Sequence, residues 1–325
     1  MPIHLLIGAG AGLVSAALFA SATTTAALAA VLLYLSPLPL CLAGLGWGRS
    51  AAALAGLTGT IVMAASMGPG AALAFAVTIA APVAVLVHLL LLSRPVPAPE
   101  GAATGAVEWY PIGRLVGWAA LIAGMLAALL VLALGPGPES YHQWIAKVLV
   151  PNLLKILGPN ASDFTPEMIE NLKLVLAKAL PAAFVIVWLT LMLFNLWLAG
   201  LIVEASGRAL RPWPDLHDLE VPNVFVAVFA VALVVSFVPG LLGLLATGLA
   251  SAMLFAYMLQ GLAVIHVYSR GVPFRWLLLA VVYLGILFLG WLAILVAIVG
   301  LGEPLFGLRA RSAASGHPPT NDGTD

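Results

Sequence analysis

The chain has 325 residues, of which 63% are hydrophobic and only 8% charged, and its formal net charge is zero. Because a soluble domain carries about 25% charged residues, this chain cannot cover itself with a water-facing surface, and it lacks the basic surface that binds nucleic acid. Its apolar runs are separated by glycine, proline and single arginine residues, without the alternation of a membrane β-barrel. We therefore expect an all-α, polytopic transmembrane helix bundle that has the lipid bilayer as its main partner.

Five apolar runs in the first half of the chain are long enough to form membrane helices, each of which needs about 20 residues. A Ser-Pro-Leu-Pro sequence at 36–39 interrupts the second run, and a linker rich in proline, glycine and alanine separates the fourth from the fifth. The five runs cover residues 3–20, 24–47, 50–67, 71–93 and 112–134.

Residues 139–178 have a different character, because polar residues lie opposite an apolar helical face there. A Gly-Pro-Asn sequence at 158–160 divides the segment. Thr165 followed by Pro166 is a favourable helix start, with a capping hydroxyl and a proline in the first turn. This pattern predicts two external helices lying on the membrane surface, the second of which leads into the sixth membrane helix.

Further apolar runs cover 179–206, 221–238, 241–268 and 273–308. As one helix the last run would be about 54 Å long, which is too long for a single crossing. A break near Gly290 divides it into two short segments. The sequence therefore predicts nine or ten membrane segments.

The arginines indicate how these segments are oriented. They lie near 49, 94–114, 207–218 and 270–275, and cytoplasmic loops are the ones enriched in basic residues. Ten segments keep Arg309 and Arg311 on the cytoplasmic side, whereas nine put them outside. We favour ten, with both termini on the cytoplasmic side of a bacterial inner membrane, one membrane domain at 1–311 and a disordered cytoplasmic tail at 312–325.

Small residues recur every four positions along the first helix. Such a ridge lets a second helix approach closely, because association in lipid depends on packing. It could dock a transmembrane partner protein, or it could pack against helices of the same chain, and internal packing is the more common use. The ridge consists of Gly8, Gly12, Ala16 and Ala20.

Three polar side chains within the later membrane helices are candidates for substrate binding. Asn195, Gln260 and His266 would be costly in lipid without a partner. Each could line a cavity or form a hydrogen bond between helices. The sequence predicts no metal site and no cofactor, and Cys41 as the single cysteine excludes an internal disulfide.

A charged connector at 207–220 follows the sixth membrane helix. Arg208 and Arg211 could bind a cytoplasmic partner there, or could act as ordinary membrane anchors beside the prolines that shape the turn. An ion pair between Glu204 and Arg208 is also expected from their spacing of four residues. No nucleotide-binding, hydrolase or metalloprotease motif occurs in the chain, so we expect that it is not an enzyme.

Several short motifs in the second half of the chain resemble the YybS-like family of bacterial membrane proteins, also called domain of unknown function 2232. The motifs cover residues 195–200, 206–208, 211–214, 260–266, 299–302 and 308–311. That family is distantly similar to the substrate-binding S components of energy-coupling-factor vitamin transporters. The resemblance implies a small molecule held among the helices and a first helix whose small residues contact a transmembrane partner.

Two functions from different classes remain open. The first is a membrane subunit that binds a small, vitamin-like molecule for uptake and works with a separate ATPase complex that supplies the energy. The second is a membrane scaffold without transport activity that recruits proteins through the connector. A polar pocket among the first six membrane helices, open to the outside, would favour the first, and a solidly packed bundle the second.

Overall fold

The computed structural model of the protein describes residues 3–23, 28–96, 107–135, 137–158, 163–270 and 272–306, with side chains up to 303 in the last range. The tail predicted to be disordered, 312–325, lies outside these ranges, as do Arg309 and Arg311. Within them, the chain forms α1 Ile3–Ala20, α2 Ala29–Tyr34, α3 Leu38–Trp47, α4 Arg49–Met67, α5 Pro69–Phe75, α6 Ala81–Leu90, β1 Ser93–Pro95, β2 Val107–Trp109, α7 Ile112–Leu134, α8 Pro138–Trp144, α9 Val150–Leu157, α10 Pro166–Ala205, α11 Val224–Ser236, α12 Leu241–Tyr268, α13 Arg275–Leu289 and α14 Leu292–Phe306.

The described chain is a helix bundle, as the composition predicts. Seven helical stretches are long and apolar enough to cross a membrane, which is the pattern of a multi-pass membrane protein; α11, α13 and α14 are apolar but shorter. The seven are Ile3–Thr23, Ala29–Trp47, Arg49–Met67, Pro69–Leu90, Ile112–Leu134, Pro166–Ala205 and Leu241–Tyr268.

Two details add to the sequence prediction. The second external helix and the sixth membrane helix form one helix, α10, of 40 residues, which begins where Thr165 Oγ1 accepts a hydrogen bond from the N–H of Met168. At 1.5 Å per residue, α10 is about 60 Å long, roughly twice the thickness of a bilayer core. In addition, the linker between the fourth and fifth spans contains a short antiparallel β-ribbon, β1 with β2, across which Arg94 and Glu108 form an ion pair.

Three prolines inside the apolar helices are matched by side-chain donors from other helices. A proline has no N–H, so the carbonyl four residues earlier loses its usual helical partner, and in a bilayer that carbonyl needs another one. Pro82 leaves the carbonyl of Thr78, which accepts a hydrogen bond of 2.9 Å from Trp188 Nε1. Pro181 leaves the carbonyl of Ala177, which accepts one of 3.0 Å from the Tyr141 hydroxyl.

A third case lies near the end of the described chain. Pro304 leaves the carbonyl of Gly300, which accepts a hydrogen bond of 2.9 Å from Gln260 Nε2. In each of the three cases, the donor ties together two segments that are far apart in sequence. This is how α10 can continue through Pro181 instead of ending there.

Helices α1 and α4 pack together through the small-residue ridge. A Cβ built on Gly8 would lie 2.8 Å from the carbonyl oxygen of Ala51, and one on Gly12 would lie 2.3 Å from that of Ala55. Both distances are too short for a side chain, so the two backbones are in direct contact. The matching order of the contacts along both helices shows that α1 and α4 run in the same direction.

The chain breaks at Gly290, whose φ of +60° favours glycine, but the two helices that flank the break differ. Helix α14 packs closely along α12, with Gly261 against Val296 and Gly300 against Tyr257, so the two helices are antiparallel. Helix α13, by contrast, has no buried residue. The predicted break at Gly290 is therefore present, and of the two segments that it separates only α14 packs along α12.

Candidate functional site: a pocket beside the connector

A pocket of about 420 Å³ lies at the end of the bundle where α6, α10 and α12 end and α7 begins. The connector, residues 207–220, covers one side of this connector pocket, and α13 contributes Tyr283 to its edge. Most of the lining is aliphatic or aromatic, and Trp197 and Trp213 supply the two largest side chains. The pocket is therefore suited to a mainly apolar molecule.

Trp213 reaches the pocket because α10 has a glycine beside it. A Cβ built on Gly200 would lie 1.9 Å from the indole ring of Trp213, so any larger residue at 200 would displace the ring. The prolines at 212 and 214 restrict the backbone on both sides of the tryptophan. The sequence thus fixes Trp213 against α10 from both the helix and the connector.

Arg211 anchors the connector at the same end of the bundle. Its side chain is buried, Nη1 donates to the carbonyl oxygens of Leu90 at 2.8 Å and Tyr110 at 3.4 Å, and its guanidinium lies over the Trp109 ring. Leu90 is the last residue of α6, where the helix carbonyls carry partial negative charge. Burial lowers the pKa of Arg211 from its ordinary value. Because its guanidinium points inward, Arg211 ties α6 and α7 to the connector.

The polar edge of the connector pocket consists of His217, His266 and Tyr283, and Asp215 holds His217 in place. Asp215 Oδ1 accepts hydrogen bonds from the backbone N–H and from Nδ1 of His217. The His217 ring centroid lies 6.0 Å from that of His266, which lies 5.9 Å from that of Tyr283. The two hydrogen bonds from His217, the backbone one first, hold the pKa of the Asp215 carboxyl below its usual value.

His266 is oriented by its own helix. Its Nδ1 lies 2.9 Å from the carbonyl oxygen of Leu262, which can only accept, so Nδ1 carries the proton. In the neutral ring, Nε2 is then a hydrogen-bond acceptor, and it has no hydrogen-bond partner among the described residues. The row of Asp215, His217 and His266 does not amount to a metal site, since within the described ranges no three such ligands lie close enough together.

Of the three predicted substrate-binding residues, only His266 lines this pocket. Asn195 is fully buried elsewhere, and its Nδ2 donates to the carbonyls of Tyr34 at 2.8 Å and Leu191 at 2.7 Å. The Tyr34 carbonyl ends α2, so this bond holds α10 against the break between α2 and α3. Asn195 Oδ1 is buried and has no hydrogen-bond partner in the described part of the chain.

Gln260 uses both ends of its side-chain amide for internal bonds. Besides donating to Gly300, it accepts a hydrogen bond of 2.6 Å at Oε1 from the N–H of Val221. It is completely buried and joins α12 to α14 and to the end of the connector. Gln260 and His266 are therefore not brought together, whereas His217 and Tyr283 join His266.

The predicted partner-docking residues fall into two groups. Gly8, Gly12 and Ala16 are buried, and α4 of the same chain contacts the ridge, as the internal-packing alternative predicts; Ala20 is half-buried at the end of α1. Arg208 is exposed, and its guanidinium lies 5.2 Å from the centroid of the Trp47 ring. The expected ion pair between Arg208 and Glu204 is not present among the described residues.

Sequence analysis did not identify the connector pocket. Trp213, His217 and Tyr283 lie on three different segments, and no periodicity relates them. The one sequence feature that could have indicated the pocket is the connector's content of tryptophan, histidine and proline, which is high for this chain. A comparison with known protein families, with curated proteins and with solved structures found no match to this chain.

Proposed function

We propose that this protein is a membrane-embedded binding subunit that holds a small, largely apolar molecule in the connector pocket. The connector pocket itself carries the proposal. Its volume of about 420 Å³ falls within the range of about 300–1,000 Å³ that small-molecule sites occupy. An apolar lining with a few polar groups at one edge is also the usual composition of such sites.

The connector pocket restricts the kind of molecule that the uptake role expected from the sequence could involve. A polar, water-soluble vitamin would leave its hydrogen-bonding groups unpaired against the aliphatic lining, so the pocket favours an apolar ligand. The pocket also lies at the connector end of the bundle, so it is not the polar pocket open to the outside that was expected for an uptake protein. Because the chain has no nucleotide-binding motif, any energised step would need a separate protein that binds and hydrolyses ATP.

Purification from the native membrane tests the proposal. Leu259→Trp, which adds bulk to the pocket lining, and Leu242→Trp, on a residue 59% exposed near the other end of α12, form a matched pair. We expect mass spectrometry to find the same small molecule with the native protein and with Leu242→Trp, and much less with Leu259→Trp. Equal retention by both variants would contradict a ligand in this pocket, provided that both show native helicity.

For the orientation, we propose nine crossings with the connector and the N-terminus in the cytoplasm of a bacterium. Arg275 donates to the carbonyl of His266, and Tyr283 contacts the His266 ring, so α13 runs along the connector end of the bundle. The antiparallel α14 then leads away from that end. Reporters fused after Arg270 and after Arg311 are expected on opposite sides of the membrane. If both reporters lie on the same side, the result supports ten segments instead.

A scaffold role is the second candidate, and the observation that favours it is Arg208. This exposed guanidinium lies over the Trp47 ring at the connector end, where a cation–π contact favours that position. Arg208→Glu is then expected to remove proteins that co-purify with the native chain, whereas Arg275→Gln on α13 leaves them bound. An unchanged set of partners with Arg208→Glu would exclude this residue as the docking point.

A further inference from the structure

The hydrogen bonds of His266 indicate which polar group a ligand of the connector pocket should carry. Its Nδ1 is committed to Leu262, so the neutral ring offers only an acceptor, Nε2, to anything bound in the pocket. The Tyr283 ring beside it is half exposed, and the other walls are mostly aliphatic and indole side chains. A molecule that fits has an apolar body and a hydrogen-bond donor at one end.

Helix α13 contributes Tyr283 to the edge of the connector pocket and lies on the outside of the bundle, without a buried residue. The outward residues of α13 are large and apolar, and Leu287 and Phe288 are 73% and 77% exposed. Its described polar ties are those of Arg275, to Ser269 Oγ at 3.2 Å and to the His266 carbonyl at 3.4 Å. The helix is flanked by two residues with positive φ, Phe274 at +58° and Gly290 at +60°.

We infer that the ligand is a membrane-dissolved molecule with an apolar body and a terminal hydroxyl, and that it enters from the bilayer past α13. The body fills the aliphatic chamber, and the hydroxyl donates its hydrogen bond to Nε2 of His266. Alcohols of chain lipids and phenols share this chemistry. The inference rests on the proposed binding function and names the class of molecule that the connector pocket takes.

Photolabelling in phosphatidylcholine nanodiscs tests the hydroxyl. The two probes are hexadecanol with a diazirine in the chain and its methyl ether, which is nearly the same shape but cannot donate. We expect the alcohol to label the pocket residues roughly two- to tenfold more than the ether, the effect of one neutral hydrogen bond. His266→Phe should bring the alcohol down to the level of the ether, and His88→Phe, at an exposed site on α6, should not.

A disulfide tests the route of entry. A Cβ built on Gly285 would lie 3.9 Å from that of Leu292, which suits a disulfide between α13 and α14. In a Cys41→Ala background, Gly285→Cys with Leu292→Cys should lose pocket labelling on oxidation and regain it on reduction. Equal labelling of the pocket before and after oxidation would overturn entry past α13.

The outcomes for the ligand are separable from those for the proposed function. Equal labelling by the alcohol and the ether in the native protein would overturn hydroxyl recognition, and the phenyl variant is not needed for that conclusion. Labelling of the pocket no higher than that of the outer lipid-facing helices would overturn a membrane-dissolved ligand. In either case, the proposed binding function would still be supported if a small molecule co-purifies with the native protein and is lost with Leu259→Trp.

Discussion

The hydrogen bond between Trp188 and Thr78 can be tested by removing the donor. Trp188→Phe keeps an aromatic ring at a buried position but leaves the Thr78 carbonyl without its 2.9 Å bond. Interhelical hydrogen bonds in membranes contribute about 0.6 kcal/mol on average and up to about 1.7 kcal/mol. We expect a loss at the upper end of this range, because Pro82 supplies no alternative N–H and the smaller ring also gives up contacts.

A double-mutant cycle isolates the bond from those packing losses. Pro82→Ala restores an N–H that can reach Thr78, so Trp188→Phe should cost less in that background, by about 0.6–1.7 kcal/mol. The free energy of unfolding is measured in mixed detergent micelles by the loss of helical circular dichroism. Trp276→Phe, at a residue 70% exposed on α13, is the control. A coupling energy of zero within error would show that the Trp188 bond does not replace the one that Pro82 removes.

Three further predictions concern the other internal contacts. Tyr141→Phe should cost about 1 kcal/mol and increase hydrogen exchange in α8, because the Ala177 carbonyl beside Pro181 loses its donor. Gly12→Ala should destabilise the protein by about 1–3 kcal/mol in thermal unfolding, since its Cβ would meet Ala55, whereas Gly10→Ala, with no atom within 4 Å of its Cβ, should not. The lowered pKa of Asp215 means that its support of the connector is present above the ordinary carboxyl range and is lost only as the pH falls through the lower value. Exchange protection of the His217 amide should therefore persist through mildly acidic pH and be absent at all pH values in Asp215→Ala.

The helices were predictable because their ends are encoded locally. Gly48, Gly68, Gly240 and Gly290 lie at or near the predicted ends of apolar runs, and each has positive φ in the structure. The sequence predicted that the second external helix leads into the sixth membrane helix, but not how α10 continues through Pro181, because that depends on Tyr141, which lies 36 residues away from the carbonyl that it satisfies. The sequence shows that Pro181 removes an N–H, but only the fold shows which side chain replaces it.

The connector pocket was hidden from sequence analysis for a similar reason. Its tryptophans were visible as part of short motifs, but the contact between Gly200 and Trp213 exists only once the connector folds back over α10. The position of Tyr283 depends on α13 crossing the connector end. The charge rule favoured two crossing segments in this region, since it counts arginines and contains no information on which helix packs along α12.

The polar groups in such an apolar chain separate into two kinds once their hydrogen bonds are followed. Trp188, Tyr141, Asn195 and Gln260 each donate to a backbone carbonyl that a proline or a helix end has left without its helical partner. Their presence is explained by the fold, because a bilayer offers such carbonyls no water. His266 differs, since only one of its nitrogens is used within the described chain, and the ring lines the connector pocket. Asn195 also keeps an unpaired Oδ1, but that atom is buried away from the connector pocket, whereas His266 lines it.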